Sequence, residues 1–440
     1  MPPALRSATP IEPPKPTITK PFVAINEHCR RISSPLDNHL VKDIQYGGLK
    51  KKASNDIGGV RNQQNSQVDE IVAAIMDVIE KFSLQQHGND VFMGREVFSP
   101  RVRRHVSEHQ RIPMVLPAFP AKSINTQDKV LGDSPDLGEE LALDRLNDLC
   151  TQIGQIYEPG AMVVIATDGA CYNDLTGVTE DSLWEYGVTL RKLVAEKGYH
   201  CIQFVRIMNL LGLHTDKQIS KEEFIRLLEP SRSELMSRYA DLDFDASDCI
   251  KNDPDYKLTY DGYAKFLKKD LAFSRLRQDT ASGRKWRTLV HNTAKAMIAR
   301  GVAFAALIRE KYPDHVRLSI HPSTGLTKIS MPLIPQHDSF SMTPWHCAVA
   351  VDVHGKFRTS HAATLREDHD LVFKNGRPYC FRERSPLYLW DAKVEFSHLY
   401  GGGLIVQNVG GQTKMSLSDN DQEKLATLTR LQGNVVLQGF

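Results

Sequence analysis

Between Asp136 and Met208 the spacing of apolar residues changes period, and that change limits the folds open to this chain. Leu146, Leu149, Ile153 and Ile156 recur every three or four residues, the spacing of one helical stripe. Asp136 followed by Glu139 has the form of a capping box at the helix start, and Pro159-Gly160 stops it. AMVVIATDG (161–169) is a near-continuous apolar run rich in β-branched residues. Such a run suits a strand buried on both faces of a parallel sheet. A helix is expected from about 181 to 197, with Leu183, Tyr186, Leu190 and Val194 on one face and Gly198 ending it. HCIQFVRIM (200–208) then reads as a second strand. Strand, helix, strand implies a parallel pair joined by a right-handed crossover.

The expected fold class is therefore α/β, a mostly parallel Rossmann-like sheet flanked by helices. A helical insertion is expected at about 213–310. Order is expected to begin near Val68, where positions 68, 71, 72, 75, 78, 79 and 82 are apolar at helical spacing. The first 21 residues contain seven prolines, and 50–67 is polar. Residues 1–67 read as a largely disordered tail, 68–415 as one α/β domain, and 416–440 as a C-terminal extension.

Lys plus Arg is 55 and Asp plus Glu is 53, a formal net charge of +2. That balance argues against a dedicated nucleic-acid binder, which needs a basic excess. No apolar run approaches the length of a transmembrane helix, and the N-terminus lacks the apolar core of a secretory signal. The seven cysteines are odd in number and none lies two residues from another, so a reduced, cytoplasmic setting is expected. Cys150, Cys171 and Cys201 fall in apolar segments and read as core thiols.

Ligands of open α/β sheets sit beyond the carboxyl ends of the strands. Asp168 ends the first strand, Asn173 and Asp174 follow in the next loop, and Arg206 ends the second strand. Together they read either as a functional rim or as a turn with a salt-bridge partner. Upstream, Pro113, Pro117 and Pro120 interrupt regular structure around a short strand at Met114–Leu116. The loop after it carries Lys122, Ser123 and Lys129, which suit a phosphate or carboxylate. A lysine in a partly apolar setting also suits a base or an imine former, while the bland reading is a solvated connection. In HVRLSIHPS, Val316, Leu318 and Ile320 alternate with Arg317, Ser319 and His321, so Arg317 and His321 share a strand face. Trp345-His346 precedes a further strand after a Thr-Pro turn. Each histidine reads as an acid/base or as a hydrogen-bonded structural residue.

No metal site is expected. Asp241, Asp243 and Asp245 begin like a calcium loop, but Ala246 and Asn252 stand where Gly and Glu are required, so the segment reads as an acidic surface loop. His369-Asp370 lacks the intervening residue of an iron-binding His-x-Asp. Gly401-Gly402-Gly403 is no dinucleotide fingerprint. Arg284, Lys285 and Arg287 read as a charged helix face.

LPAFPAKS (116–123), KVLGDSPDLGEELAL (129–143), TDGACYNDLTGV (167–178), RLSIHPS (317–323) and TPWH (343–346) resemble, in this order, the isonitrile (isocyanide) synthases of the pyoverdine/dityrosine biosynthesis family. The resemblance runs from about residue 70 to 412 and makes the α/β domain an isonitrile synthase-like catalytic domain. Thr167 and Tyr172 replace the family's usual Ser and Phe. Bulkier or basic residues are usual where Ala170 and Cys171 stand, which bears on the amino-acid pocket.

The resemblance implies that the amine of an amino acid becomes an isonitrile, with ribulose 5-phosphate giving the carbon, in secondary-metabolite biosynthesis. It implies no metal or redox cofactor, and an oxygenase as a pathway partner. Lys122, Ser123, Lys129 and Arg317 then suit the sugar phosphate. Asp168 and Asp174, beside Asn173, suit the amine and its protons. His321, and after it His346 beside Trp345, suit general acid/base work. Arg206 or Arg95 suits the amino-acid carboxylate. Two other readings stay open: an iron/2-oxoglutarate oxygenase of the same pathway, and an inactive binding relative.

Overall fold

Seven-residue strands β1 (Ile112–Ala118) and β2 (Ala161–Thr167) form the middle of a parallel sheet. With β3 (Ile202–Arg206), β4 (Val316–Ser319) and β5 (Ile329–Ser330) the order is β3-β2-β1-β4-β5. The computed structural model describes residues 57–84, 94–274 except 217 and 242, 283–334 except 322 and 324, 343–384 except 353–355, 393–399, 403–409 and 437–438. The chain divides into units 1–58 and 59–440, and nearly all described residues lie in the second.

β1 is longer than expected and contains two of the prolines thought to interrupt it. Middle strands normally exclude proline, which cannot donate to a ladder. Ile112 donates its N–H to Gly160 on the β2 side, at 2.9 Å. Strand alternation then turns the nitrogens of Pro113 and Pro117 toward β4. Pairing with β4 is limited to Met114–Val316 and Val115–Arg317, while β1 and β2 stay in register throughout.

Helix α1 (Ile57–Phe82) begins ahead of Val68, because the mostly polar sequence that opens it leaves no apolar period to read. α2 is Gly94–Ser107. α3 (Leu137–Ile156) opens on the expected capping box, with Asp136 accepting from Gly138 N–H at 2.8 Å and Glu139 accepting from Asp136 N–H at 3.0 Å. Leu146, Leu149 and Ile153 are buried, whereas Ile156 is exposed at the helix end. α4 (Gly169–Thr176) and α5 (Glu180–Glu196) link β2 to β3.

Between β3 and β4 lie α6 (Ile207–Leu210), α7 (Lys221–Tyr239), α8 (Ala246–Asn252), α9 (Pro254–Asp270) and α10 (Gly283–Lys311). The acidic run expected to be a loop is partly helix: Asp245 caps α8, accepting from Ser247 and Asp248 N–H. A second, mixed sheet was not legible in the sequence. It joins β6 (Ala348–Val351), β7 (Phe357–Ser360), β8 (His369–Lys374) and β9 (Arg377–Glu383) in the order β7-β6-β9-β8, with α11 (Ala362–Arg366) beside it. Val349, Val351, Val372 and Tyr379 pack against Leu137 and Leu141 of α3. β10 (Lys393–Leu399), β11 (Gly403–Val409) and β12 (Leu437–Gln438) form a third sheet. Most of the expected C-terminal extension lies outside the described residues. Cys150 and Cys171 are buried and Cys201 is half-buried, and all three are free thiols.

Gly169 couples the sheet to the loop after β1. A Cβ there would stand 2.1 Å from the Pro120 carbonyl oxygen and 2.4 Å from Leu183 Cδ1. Backbone cannot yield as a flexible side chain does. Gly169→Ala is expected to lower stability by about 3 kcal/mol, read as a drop in the urea midpoint. An unchanged midpoint would mean that the Pro120 turn moves freely.

Candidate active site

From β1 the chain passes to β2 on one side, while β4 lies on the other, so the crevice between β1 and β4 is the topological switch point. The loop leaving β1 is held in left-handed backbone at two non-glycine residues, Phe119 (φ 61°) and Ala121 (φ 128°). Such conformations persist where surrounding structure enforces them, commonly at functional sites. Asp168 follows β2 in the bridge region (φ −99°, ψ 3°) and gives α4 no side-chain cap. Arg317 lies in β4 and His321 just beyond it. α9 adds Tyr263, Phe266 and Asp270, and a 3-10 turn at Pro344–His346 adds His346.

Unpartnered buried atoms mark this crevice. Asp168 Oδ1, Arg317 Nη1 and His346 Nδ1 are buried without a hydrogen-bond partner. Buried polar atoms are nearly always satisfied, so such a group points to a missing ligand or water. Burial pushes the Asp168 carboxyl up to about 7, against the pull of Arg317. Burial also lowers Arg317 to about 10 and His321 to about 4. Tyr263 is pushed up by burial and then by the charge of Asp168. At neutral pH the crevice thus holds a half-titrated carboxyl, a guanidinium and a neutral imidazole.

The aromatic residues of α9 join the histidines. The Tyr263 ring stands edge-on to His321 at 5.8 Å, and the Phe266 ring lies tilted against His346 at 4.7 Å. Lys129 is ion-paired with Asp270, whose Oδ2 lies 3.6 Å from His346 Nδ1. Ser123 also bonds Asp270. Burial lowers the Lys129 pKa and pushes His346 well below its ordinary value. Asp270, Tyr263 and Phe266 were missed in the sequence. Their signal was the helical spacing that puts them on one face of α9, but nothing local says which element that face meets.

Other expected residues have different surroundings. Lys122 is fully enclosed, 2.8 Å from both Asp136 and Glu139 and 2.9 Å from the Pro344 carbonyl. Burial disfavours its charge, but the two carboxylates outweigh that and raise its pKa. It ties the β1 loop to α3 and to the 3-10 turn, and its charge is already matched. Asp174 takes both Arg300 nitrogens at 2.6 and 2.9 Å, and Asn173 accepts from Arg232 at 2.9 Å. These two residues anchor α10 and α7 on α4. Trp345 is buried against Phe119, ring centroids 5.4 Å apart.

Arg95 does not join the site. It binds Asp77 and Glu80 of α1, each at 2.6 Å, on an exposed face. Arg95→Ala is expected to cost under about 1 kcal/mol in stability and to leave kcat/KM within about twofold. A tenfold loss in steady-state assays would return it to the substrate.

Arg206 faces a second cleft, partly open to solvent, whose empty space including the solvent at its mouth is about 410 Å³. Thr167, Gly169 and Ala170 line it with Phe119, Trp184, Phe224 and Arg191. Among the described residues, no cluster of three or more His, Cys, Asp or Glu could hold a metal ion, and no helix is long and apolar enough to cross a membrane.

Residues 102–372 match the pyoverdine/dityrosine biosynthesis protein family. The chain is 41% identical over 406 residues to isocyanide synthase xanB of Aspergillus fumigatus, covering 89% of this chain and 53% of that protein. It is 35% identical to L-tryptophan isonitrile synthase AmbI2 of Fischerella ambigua, covering 64% of this chain and 80% of that one. The chain thus spans about half of the fungal relative's length. The crystal structure of the PvcA protein of Pseudomonas aeruginosa is similar with a TM-score of 0.63 and 26% identity, over 71% of this chain and all of that one.

Proposed function

The chain belongs to the pyoverdine/dityrosine biosynthesis family, and from that membership we propose that it is an isonitrile synthase. Its substrates are an amino acid, whose amine becomes the isonitrile, and ribulose 5-phosphate, which gives the carbon. The reaction calls for no metal or redox cofactor and serves secondary metabolism in the cytoplasm. The observation that carries this reading is the unpartnered pair of Asp168 and Arg317 atoms in the switch-point crevice.

Joining an amine to a ketone requires removal of the ammonium proton, attack, and loss of water. Carbon–carbon bonds beside the former carbonyl then break and phosphate leaves. Asp168, titrating near 7, accepts the ammonium proton and returns it to the departing oxygen. His321 and His346, held neutral, accept protons from carbon or oxygen. Arg317 holds an anionic group against the crevice. Lys129 and Ser123 fix Asp270, which in turn faces His346.

The oxygenase alternative requires a β-barrel, whereas this sheet is parallel and open. The test is incubation of the purified protein with ribulose 5-phosphate and single amino acids (Tyr, Trp, Val, Leu). Phosphate release is followed, and isonitrile is captured with a tetrazine and weighed by mass spectrometry. A captured product with one amino acid is expected. Product absent with every amino acid would remove the reading.

A further inference from the structure

Arg191 and Arg206 both line the cleft beside the crevice. Neither has a carboxylate within ion-pair distance among the described residues. Arg191 donates through Nη1 to the Gly187 carbonyl at 2.8 Å, and its Nη2 is buried without a partner. Each guanidinium lies over an aromatic ring instead, Arg191 over Phe204 at 5.2 Å and Arg206 over Trp184 at 5.9 Å. Burial and the neighbouring Arg206 push Arg191 down to about 9. Two buried like charges facing one cavity repel unless an anion joins them.

The cleft offers that anion a third group. Gly169 and Ala170, the first residues of α4, line it, and Asp168 supplies no side-chain cap to their helix. Uncapped N–H groups at a helix start favour negative charge. A monoanionic carboxylate is matched by one guanidinium, whereas two guanidiniums and a helix start match a dianion. Lys122 and Lys129 do not compete for it, since Asp136, Glu139 and Asp270 already neutralise them.

We propose that the Arg191–Arg206 cleft binds the phosphate of a sugar phosphomonoester, with Arg191 as a phosphate-binding residue. This rests on the isonitrile synthase reading only for the sugar's identity as ribulose 5-phosphate. Thr167 and Gly169 line the cleft on either side of Asp168 in the chain. A phosphate held there leaves Arg317, whose Nη1 is unpartnered in the crevice, for the amino-acid carboxylate.

Trp184 lies in the cleft, so its fluorescence reports occupancy. The full chain is titrated with inorganic phosphate, with ribose 5-phosphate, which cannot follow the 2-ketose reaction, and with L-tyrosine. Ribose 5-phosphate is expected to bind and to be displaced by inorganic phosphate. Arg191→Gln is expected to weaken it roughly tenfold or more, with Arg191→Lys recovering part and L-tyrosine affinity unchanged. Arg191→Gln is also expected to raise Tm, since it removes one of two facing charges, which shows that the variant folds. Ribose 5-phosphate binding that ignores Arg191→Gln, or loss of L-tyrosine binding in its place, would overturn the proposal. Phosphate bound through Arg191 without isonitrile formation would keep this site and sink the reaction. Isonitrile formed by Arg191→Gln with an unaltered KM for ribulose 5-phosphate would do the reverse.

Discussion

Asp168→Asn is expected to lower kcat for isonitrile formation by roughly 10²- to 10⁴-fold while leaving the chain folded. Asparagine keeps the shape and one acceptor but cannot take the ammonium proton. In the unaltered protein kcat/KM should rise through pH about 7 as the buried carboxyl ionises, and the variant should lose that rise. The same group sets a stability signature. Its folded pKa lies above the ordinary 3.8, so the folded chain binds a proton that the unfolded chain has released. Stability therefore falls as pH rises from about 4 to about 7 and is level above that. Asp168→Asn removes the burden of a buried charge, so it should melt above the unaltered protein at pH 8 and converge with it near pH 4. Thermal melts across that range check it. Coincident curves at every pH would show that Asp168 is solvated and is not the proton carrier.

Lys122→Met should be destabilising by about 3–5 kcal/mol, because it strands two buried carboxylates. Asp136 and Glu139 each lie 2.8 Å from the ammonium, with all three side chains essentially inaccessible to water. Burial and the neighbouring carboxylate already lift Asp136 to about 7 against the pull of Lys122. Without the lysine it can escape charge only by staying protonated, and that is easier in acid. The loss measured by urea unfolding should therefore be smaller at pH 5 than at pH 8. Borohydride added during turnover should trap no imine on Lys122. A trapped adduct there, or a loss that does not depend on pH, would mean that the ion cluster opens to admit substrate.

Legibility in the sequence followed burial. β2 and α5 were readable because both faces of the strand and one face of the helix are apolar, β3 showed as a short run holding Ile202, Phe204 and Val205, and Asp168 follows from the end of β2. The Asp136–Glu139 cap was readable too, but not its second task. The same two carboxylates hold Lys122, and no local pattern reveals a partner fourteen residues away. Arg317 and His321 were found as a pair on one strand face and His346 as a separate residue. Their meeting with Tyr263, Phe266 and Asp270 depends on how α9 folds back from the insertion, which spacing does not encode. β1 was under-read because proline is a poor guide when a strand has one sparsely paired side. Of the second sheet only β6 was read, as the strand after Trp345-His346; polar and charged residues in β7, β8 and β9 hide any apolar period there.

That sparsely paired side has a consequence for synthesis. Val316 and Arg317, which complete β1, are made long after Met114 and Val115. Until then the nascent sheet presents an open apolar edge, the kind that recruits foreign strands into aggregates. Pro113 and Pro117 leave Val115 as the one backbone donor on that edge within β1. A stray strand finds almost nothing to zip onto, while β4, which needs only two residues of register, still docks. The prolines thus act as a guard against misassembly during the wait for the insertion to be completed.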